Sequence, residues 1–211
     1  MGKTNSRMAM IQPYFIPYLG YFKLCAFVDN FVFFDNADYI RNGWIQRNEL
    51  YLDYKRDLKS WITLPVKKRP RGTKINEIEL DVNYQQFMLN NVDRYPILKK
   101  MSKSNIFQDI FLHGDTKLSS YLIHQIIYLS KILNISCNFY LSSNLATRYS
   151  NENYQDYIIR ICHILQVEEY VNPISGASLY SESKFKFNNL NLRFLDNSKG
   201  CRKISCIEDM F

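Results

Sequence analysis

The chain has 211 residues, 46% of them hydrophobic and 22% charged, which is enough to bury a core without disulfides and too apolar for general disorder. No apolar run reaches the length of a membrane-spanning helix, and five cysteines without a CxxC pair argue for free thiols in a reducing cytoplasm rather than a disulfide framework. The formal net charge of +7 leaves room for an anionic partner.

The opening MGKTNSRMAM lacks the apolar stretch of a signal peptide, so a cytoplasmic location is expected. Gly2 followed by Ser6 fits the loose myristoylation pattern, which is short enough to arise by chance. MAMIQ then reads as a first buried strand ended by Pro13. Beyond the turn QPYFIPYLGY, Leu19, Phe22, Cys25 and Ala26 recur at helical spacing. NFVFF, from Asn30 to Phe34, is a continuous apolar run, as expected of a strand covered on both faces of a parallel sheet.

SWITLPV and INEIELD read as further strands, and residues 63–80 are expected to form a small β insertion carrying the basic loop VKKRPRGTK. YQQFMLNNVDRYPIL is predicted helical up to the residue before Pro96. The strongest helical pattern is DTKLSSYLIHQIIYLSKILNI, with Leu118, Leu122, Ile126, Leu129 and Leu133 on one face and Asp115 or Thr116 as cap. SCNFYLSSNL is a predicted strand, NYQDYIIRICHILQV a helix capped by Asn151 or Asn153, and EEYVNPISG and NLNLRFLD supply two more strands. The order predicts one α/β domain over residues 1–211, with a Rossmann-like, largely parallel sheet flanked by helices.

The densest polar cluster, DNADYIRNGWIQRNEL, follows the buried strand, where open α/β sheets bind ligands. Asp35 and Asp38 suit a base or a cation, Arg41 and Arg47 can fork onto phosphate, and Trp44 can stack on a base or sugar. The opposing reading makes the arginines surface partners of Asp38 and Glu49. The turn at Ser175 and Gly176 can present backbone N–H groups to an anion. Of the three histidines, His113, two residues before Asp115, is the best acid/base candidate. No HxxxH, HExxH or Cys/His spacing points to zinc, so no metal ligands are predicted. GxxxxGK[ST], GxGxxG and GxSxG motifs are absent.

With these residues in view, the sequence resembles the WbqC-like family. QPYFIPYLGYF (Gln12 to Phe22) and FVFFDNADYIRNGWIQRNEL (Phe31 to Leu50) carry the resemblance. WITLPVKK, YVNPISGASLY and the closing ISCIEDMF follow in the expected order. Proteins that look like this are often encoded among genes for surface polysaccharide such as O-antigen, which implies work on nucleotide-linked sugars. Only Asp35 carries over cleanly from the family's acidic pattern, since Asn36 and Asp38 stand where a second acid and a Gln are usual. The segment between LRFLD and ISCIEDMF is also short for the family.

The first strand and turn further resemble nucleotidyltransferases with an HxGH motif, with Tyr18 and Tyr21 in place of the histidines. The expected activity is acyl or aminoacyl transfer to the amine of a nucleotide-linked deoxyamino sugar, with Asp35 or His113 as base. Gln12, Tyr14, Tyr18, Tyr21, Arg41, Trp44, Arg47, Asn48, Ser175 and Gly176 form the expected binding set. A tRNA donor would use the basic loop 67–74. The alternatives are a nucleotidyltransferase-like enzyme using ATP and magnesium, and a non-catalytic subunit of a glycan-assembly complex.

Overall fold

A computed structural model describes residues 6–211, so Gly2, on which the myristoylation pattern depends, lies outside the described residues. The chain divides into two compact units that are interleaved in sequence. One comprises residues up to Gln12, Gly20–Phe34 and Ile135–Cys201, and the other Pro13–Leu19, Asp35–Asn134 and Arg202–Phe211. Among the described residues no helix is long and apolar enough to cross a membrane.

The first unit is built on a five-stranded sheet in which every pairing is parallel. Its strands are β1 (Arg7–Ile11), β2 (Asn30–Phe33), β5 (Asn138–Leu141), β6 (Glu169–Pro173) and β7 (Asn191–Leu195). Their spatial order is β5-β2-β1-β6-β7. Counted among themselves the five strands run 3-2-1-4-5, the order of the first five strands of a Rossmann-like sheet, in which the winding reverses beside the first strand. Helices α1 (Leu19–Phe27), α7 (Tyr154–Ile164) and α8 (Glu182–Phe187) flank the sheet, and a short α6 (Ser142–Leu145) follows β5.

The apolar run of β2 does what its composition predicts. Phe31, Val32 and Phe33 are buried, and Phe33 stacks on Phe139 of β5 with ring centroids 5.4 Å apart. Each such side chain removed from water contributes about 1.5–3 kcal/mol. In α1 the buried positions are Gly20, Tyr21, Phe22, Leu24 and Cys25, a wider stripe than the spacing predicts, and Ala26 is exposed. Asn153 caps α7, its side chain accepting from the Asp156 N–H at 2.9 Å.

The second unit holds the antiparallel hairpin of β3 (Arg47–Asp53) and β4 (Leu58–Thr63), with helices α2 (Tyr84–Asn90), α3 (Pro96–Met101), α4 (Asn105–Phe111), α5 (Leu118–Ile132) and α9 (Ile207–Met210). Antiparallel pairing therefore falls over 47–63, whereas residues 63–80 form isolated bridges and one 3-10 turn at Ile75–Glu77. Pro65 and Pro70 lack the N–H groups that a continuous ladder through this stretch would need. INEIELD is accordingly not a strand, although Val66 bridges to Leu80. The helix expected to run to the residue before Pro96 stops at Asn90, and Pro96 opens α3 instead, a first-turn position that suits proline.

Along α5 the residues Leu118, Leu122, Ile126 and Leu129 are fully buried on one face, as their spacing predicts, while Leu133 lies just past its end. Neither Asp115 nor Thr116 caps α5. The N-cap is Lys117 without a side-chain bond, and the Leu118 N–H donates to the Ile78 carbonyl at 2.9 Å.

Candidate functional site

The aromatic turn after β1 is fastened from within the hairpin unit. Phe15 and Ile16 are fully buried, and Phe15 meets Phe111 edge-on at 6.2 Å. Ile16 holds φ at 38°, a left-handed conformation that a β-branched residue adopts only when its surroundings impose it. Those surroundings are identifiable. The buried Asn48 amide donates to the Phe15 and Ile16 carbonyls at 3.1 and 2.7 Å, and Ser205 Oγ donates to the Ile16 carbonyl at 2.8 Å. The Cys206 N–H reaches the Pro17 carbonyl at 2.8 Å. Tyr14 Oη accepts from the Tyr18 N–H at 3.3 Å, and burial pushes the Tyr14 hydroxyl well above its ordinary pKa. Motifs far apart in sequence therefore meet here to hold a strained turn, and Asn48 is a bracket for that turn.

The loop leading into β3, with residues 63–69 at and after the end of β4, shapes an open cleft of about 320 Å³. Asn42, at φ 60°, turns the chain, and the Gly43 N–H closes onto the Ile40 carbonyl at 3.0 Å. Two bonds tie Gln46 to Leu64: the Leu64 N–H donates to its carbonyl at 2.8 Å, and its Nε2 donates to the Leu64 carbonyl at 2.7 Å. Arg41, Arg47 and Arg69 line the cleft with Tyr39, Gln46 and Thr63, and no Asp or Glu is among the lining residues. Arg47 lies over the Trp61 ring at 4.3 Å and donates to the Asn42 carbonyl, while its buried Nε has no hydrogen-bond partner among the described residues. Arg69 stacks on Tyr39 at 4.0 Å and donates to Gln46 Oε1 at 3.0 Å.

None of the three guanidinium groups is in the ion pairs of the described residues, and Asp38 pairs with Lys74 at 2.5 Å. The arginines are therefore not the surface partners of Asp38 and Glu49. Trp44 and Trp61 stand with ring centroids 4.7 Å apart and remain 51% and 37% exposed, so a broad aromatic surface flanks Arg47. Three cations with no carboxylate among the lining residues, one of them over an indole ring, suit an anion that carries a ring.

In the sheet unit, Gln12 follows β1 and the Ser175–Gly176 turn follows β6, so both belong to the strand ends where the winding reverses. The ladder between β1 and β6 has two residue pairs, against four between β1 and β2. Buried Asn172 organises the β6 end, its Oδ1 accepting from the hydroxyls of Tyr170 at 3.1 Å and Tyr180 at 3.3 Å. Gly176 packs against it so closely that an added Cβ would lie 2.4 Å from the Asn172 Nδ2. Tyr21 is 3% exposed, packs on Phe22 and Phe31, and donates to the Gln12 carbonyl at 3.4 Å, which makes it a core side chain of this unit.

Asp35 is 3% exposed and its carboxylate accepts from Asn76 Nδ2 at 3.3 Å; it does not line the arginine cleft. His113 packs between Tyr121 and His124, and its Nδ1 lies 3.0 Å from the Asp115 carboxylate. Burial, reinforced by His124, lowers its pKa to about 4, so the ring is neutral at pH 7 and a weak proton acceptor. The basic loop is largely spent internally: Lys67 pairs with Glu79 at 2.6 Å, Lys74 with Asp38, and Arg69 enters the cleft. Lys68 and Arg71 remain exposed. The sequence reading missed Arg69, Tyr39 and Trp61 as site residues. Arg69 carried a signal, its place in the basic loop, but not the pairing that folds it inward.

The sequence model of the WbqC-like protein family matches residues 12–201, so the closing segment that brackets the aromatic turn lies beyond the match. A curated Mycobacterium tuberculosis protein, described as uncharacterized protein Rv1507c, is 26% identical over 205 residues, covering 90% of this chain and 82% of its own. No solved structure matches the chain at a significant level.

Proposed function

The chain belongs to the WbqC-like protein family, and we propose that it acts on a nucleotide-linked amino sugar in the building of bacterial surface polysaccharide, transferring an acyl or aminoacyl group to the sugar amine. The observation that carries this reading is the cleft with three guanidinium groups and no carboxylate. Arg41, Arg47 and Arg69 hold the diphosphate, where bidentate guanidinium contacts are strongest. Trp44 and Trp61 receive the base or the hexose. In the transfer, a base takes a proton from the amine, the nitrogen attacks the acyl carbon, and the bond to the donor breaks. Asp35, just past the end of β2 and outside the cleft lining, is the proposed base, so the sugar amine extends beyond the arginines to meet it; a His113 that titrates near 4 holds a proton poorly at neutral pH. A tRNA-borne acyl group would meet Lys68 and Arg71 on the rim of the basic loop.

A second reading rests on the 3-2-1-4-5 strand order, which favours a nucleotide at the strand ends. It makes the protein a nucleotidyltransferase using ATP and magnesium. Thermal stabilisation by UDP-, dTDP- and GDP-linked amino sugars, by ATP with magnesium and by tRNA separates the two, since a specific ligand raises the transition by mass action. Stabilisation by one nucleotide sugar, lost in Arg47→Ala, supports the transferase. A response to ATP and magnesium alone supports the second reading, and no response to any ligand removes both in favour of a binding subunit. Full loss of turnover with retained ligand affinity in Asp35→Asn would establish the base.

A further inference from the structure

Away from the arginine cleft, the hairpin unit brings two histidines and an aspartate together. His113 and Asp115 lie in the loop between α4 and α5, and His124 is on α5. Each of the three offers a ligand atom, and these atoms lie within 4.8 Å of one another. We propose that His113, Asp115 and His124 form a site for one divalent transition-metal ion, with zinc as the best fit. Two imidazole nitrogens and one carboxylate oxygen make a donor set of intermediate softness, and three protein ligands leave a fourth, solvent-facing position of a tetrahedron.

The outer contacts match what such a site needs. His124 Nε2 lies 2.9 Å from the Asp109 backbone carbonyl, so it carries the proton and leaves Nδ1 as the coordinating nitrogen. The Asp109 carboxylate is held in turn by the Tyr128 hydroxyl at 2.8 Å. The His113 backbone is fixed from α2, where the Tyr84 hydroxyl donates to its carbonyl and Gln85 Nε2 donates to the Leu112 carbonyl at 2.6 Å. Its ring is backed by Tyr121 at 4.5 Å. Asp115 Oδ2 and His113 Nδ1, 3.0 Å apart, are already at the separation of two ligands on one ion.

In the metal-free arrangement the two imidazoles stack with centroids 3.8 Å apart and planes 24° from parallel. Each lone pair lies in the plane of its own ring, so coordination requires His124 to tilt out of the stack, which its exposed position on the helix allows. An ion here would clip the loop to α5 within the hairpin unit. Its entry path is open, because His124 is exposed and Asp115 is half-buried.

The test uses the full chain, freed of any purification tag and stripped with chelator. Cobalt(II) is titrated and followed by its visible ligand-field bands, and zinc affinity is read by competition with a chromophoric chelator. One equivalent of cobalt with the intense bands of a four-coordinate site is expected, displaced by zinc. His124→Ala and Asp115→Asn should each weaken binding by more than about a hundredfold, beyond what loss of an outer-shell partner causes. His163→Ala, on the sheet unit, should bind as the parent does. Both site variants alter accessible side chains, and circular dichroism verifies their folding. No binding by the folded parent, or equal binding by parent and site variants, overturns the proposal.

Discussion

At the strand ends of the sheet unit the polar groups are spent on one another: Asn172 takes the hydroxyls of Tyr170 and Tyr180, and Gly176 closes against its amide. In the cleft of the hairpin unit three guanidinium groups stand without a carboxylate among the lining residues. Topology favours the first region as a ligand site, whereas electrostatics favours the second. A satisfied network resists change and contributes to stability, while an unsatisfied set of like charges contributes little to folding and is available to a ligand. Substitutions in the two kinds of surroundings should therefore separate, stability moving with the networks and affinity with the cations.

The largest effect is expected at the bracket of the strained turn. Asn48→Ala leaves the buried Phe15 carbonyl without its amide donor and weakens the restraint on Ile16, a loss of about 2–4 kcal/mol by denaturant midpoint. This sharpens the comparison within the hairpin unit itself, since a motif residue would be shown to hold structure. Next, Gly176→Ala drives a methyl against the Asn172 amide and should cost about 1–3 kcal/mol, with the anion affinity of the folded protein unchanged. A parallel loss of anion affinity in that variant would break the division between the two regions.

Arg69→Ala should behave oppositely. Isothermal titration with a nucleotide-linked sugar should give an affinity about tenfold weaker, equivalent to about 1.4 kcal/mol, with little change in the melting temperature. The smallest effect concerns acid. In chelator, the folded chain keeps His113 neutral down to about pH 4, whereas an unfolded chain takes up that proton near pH 6.5. The unfolded state then binds more protons between those values, so this contribution is complete above about pH 6.5 and is lost as the pH falls toward 4. Allowing for solvent screening it amounts to about 1 kcal/mol, and His113→Gln should flatten the corresponding slope of melting temperature against pH.

Much of the sheet unit could be read before its structure. NFVFF is a buried strand because burial on both faces demands an uninterrupted apolar run, and Asn153 caps its helix because a side-chain acceptor is needed there. The hairpin over 47–63 was harder to see, since Arg47 to Leu50 carry polar groups that read as chemistry. Its pattern is legible only with the partner strand, where Asn48 faces Ile62 and Leu50 faces Ser60.

By itself the sequence determined family membership, the α/β class, the order of buried strands and helices, and a polar cluster containing Arg41 and Arg47. These follow from local rules: periodicity, capping and the apolar content of short segments. Tertiary structure alone decided that Arg69 joins those arginines from the basic loop, that Trp61 pairs with Trp44, that Asn48 holds the aromatic turn, and that His124 meets His113. Each of these contacts joins segments separated by a turn or more of intervening chain, and its geometry is set by packing and strand register, which no local pattern encodes.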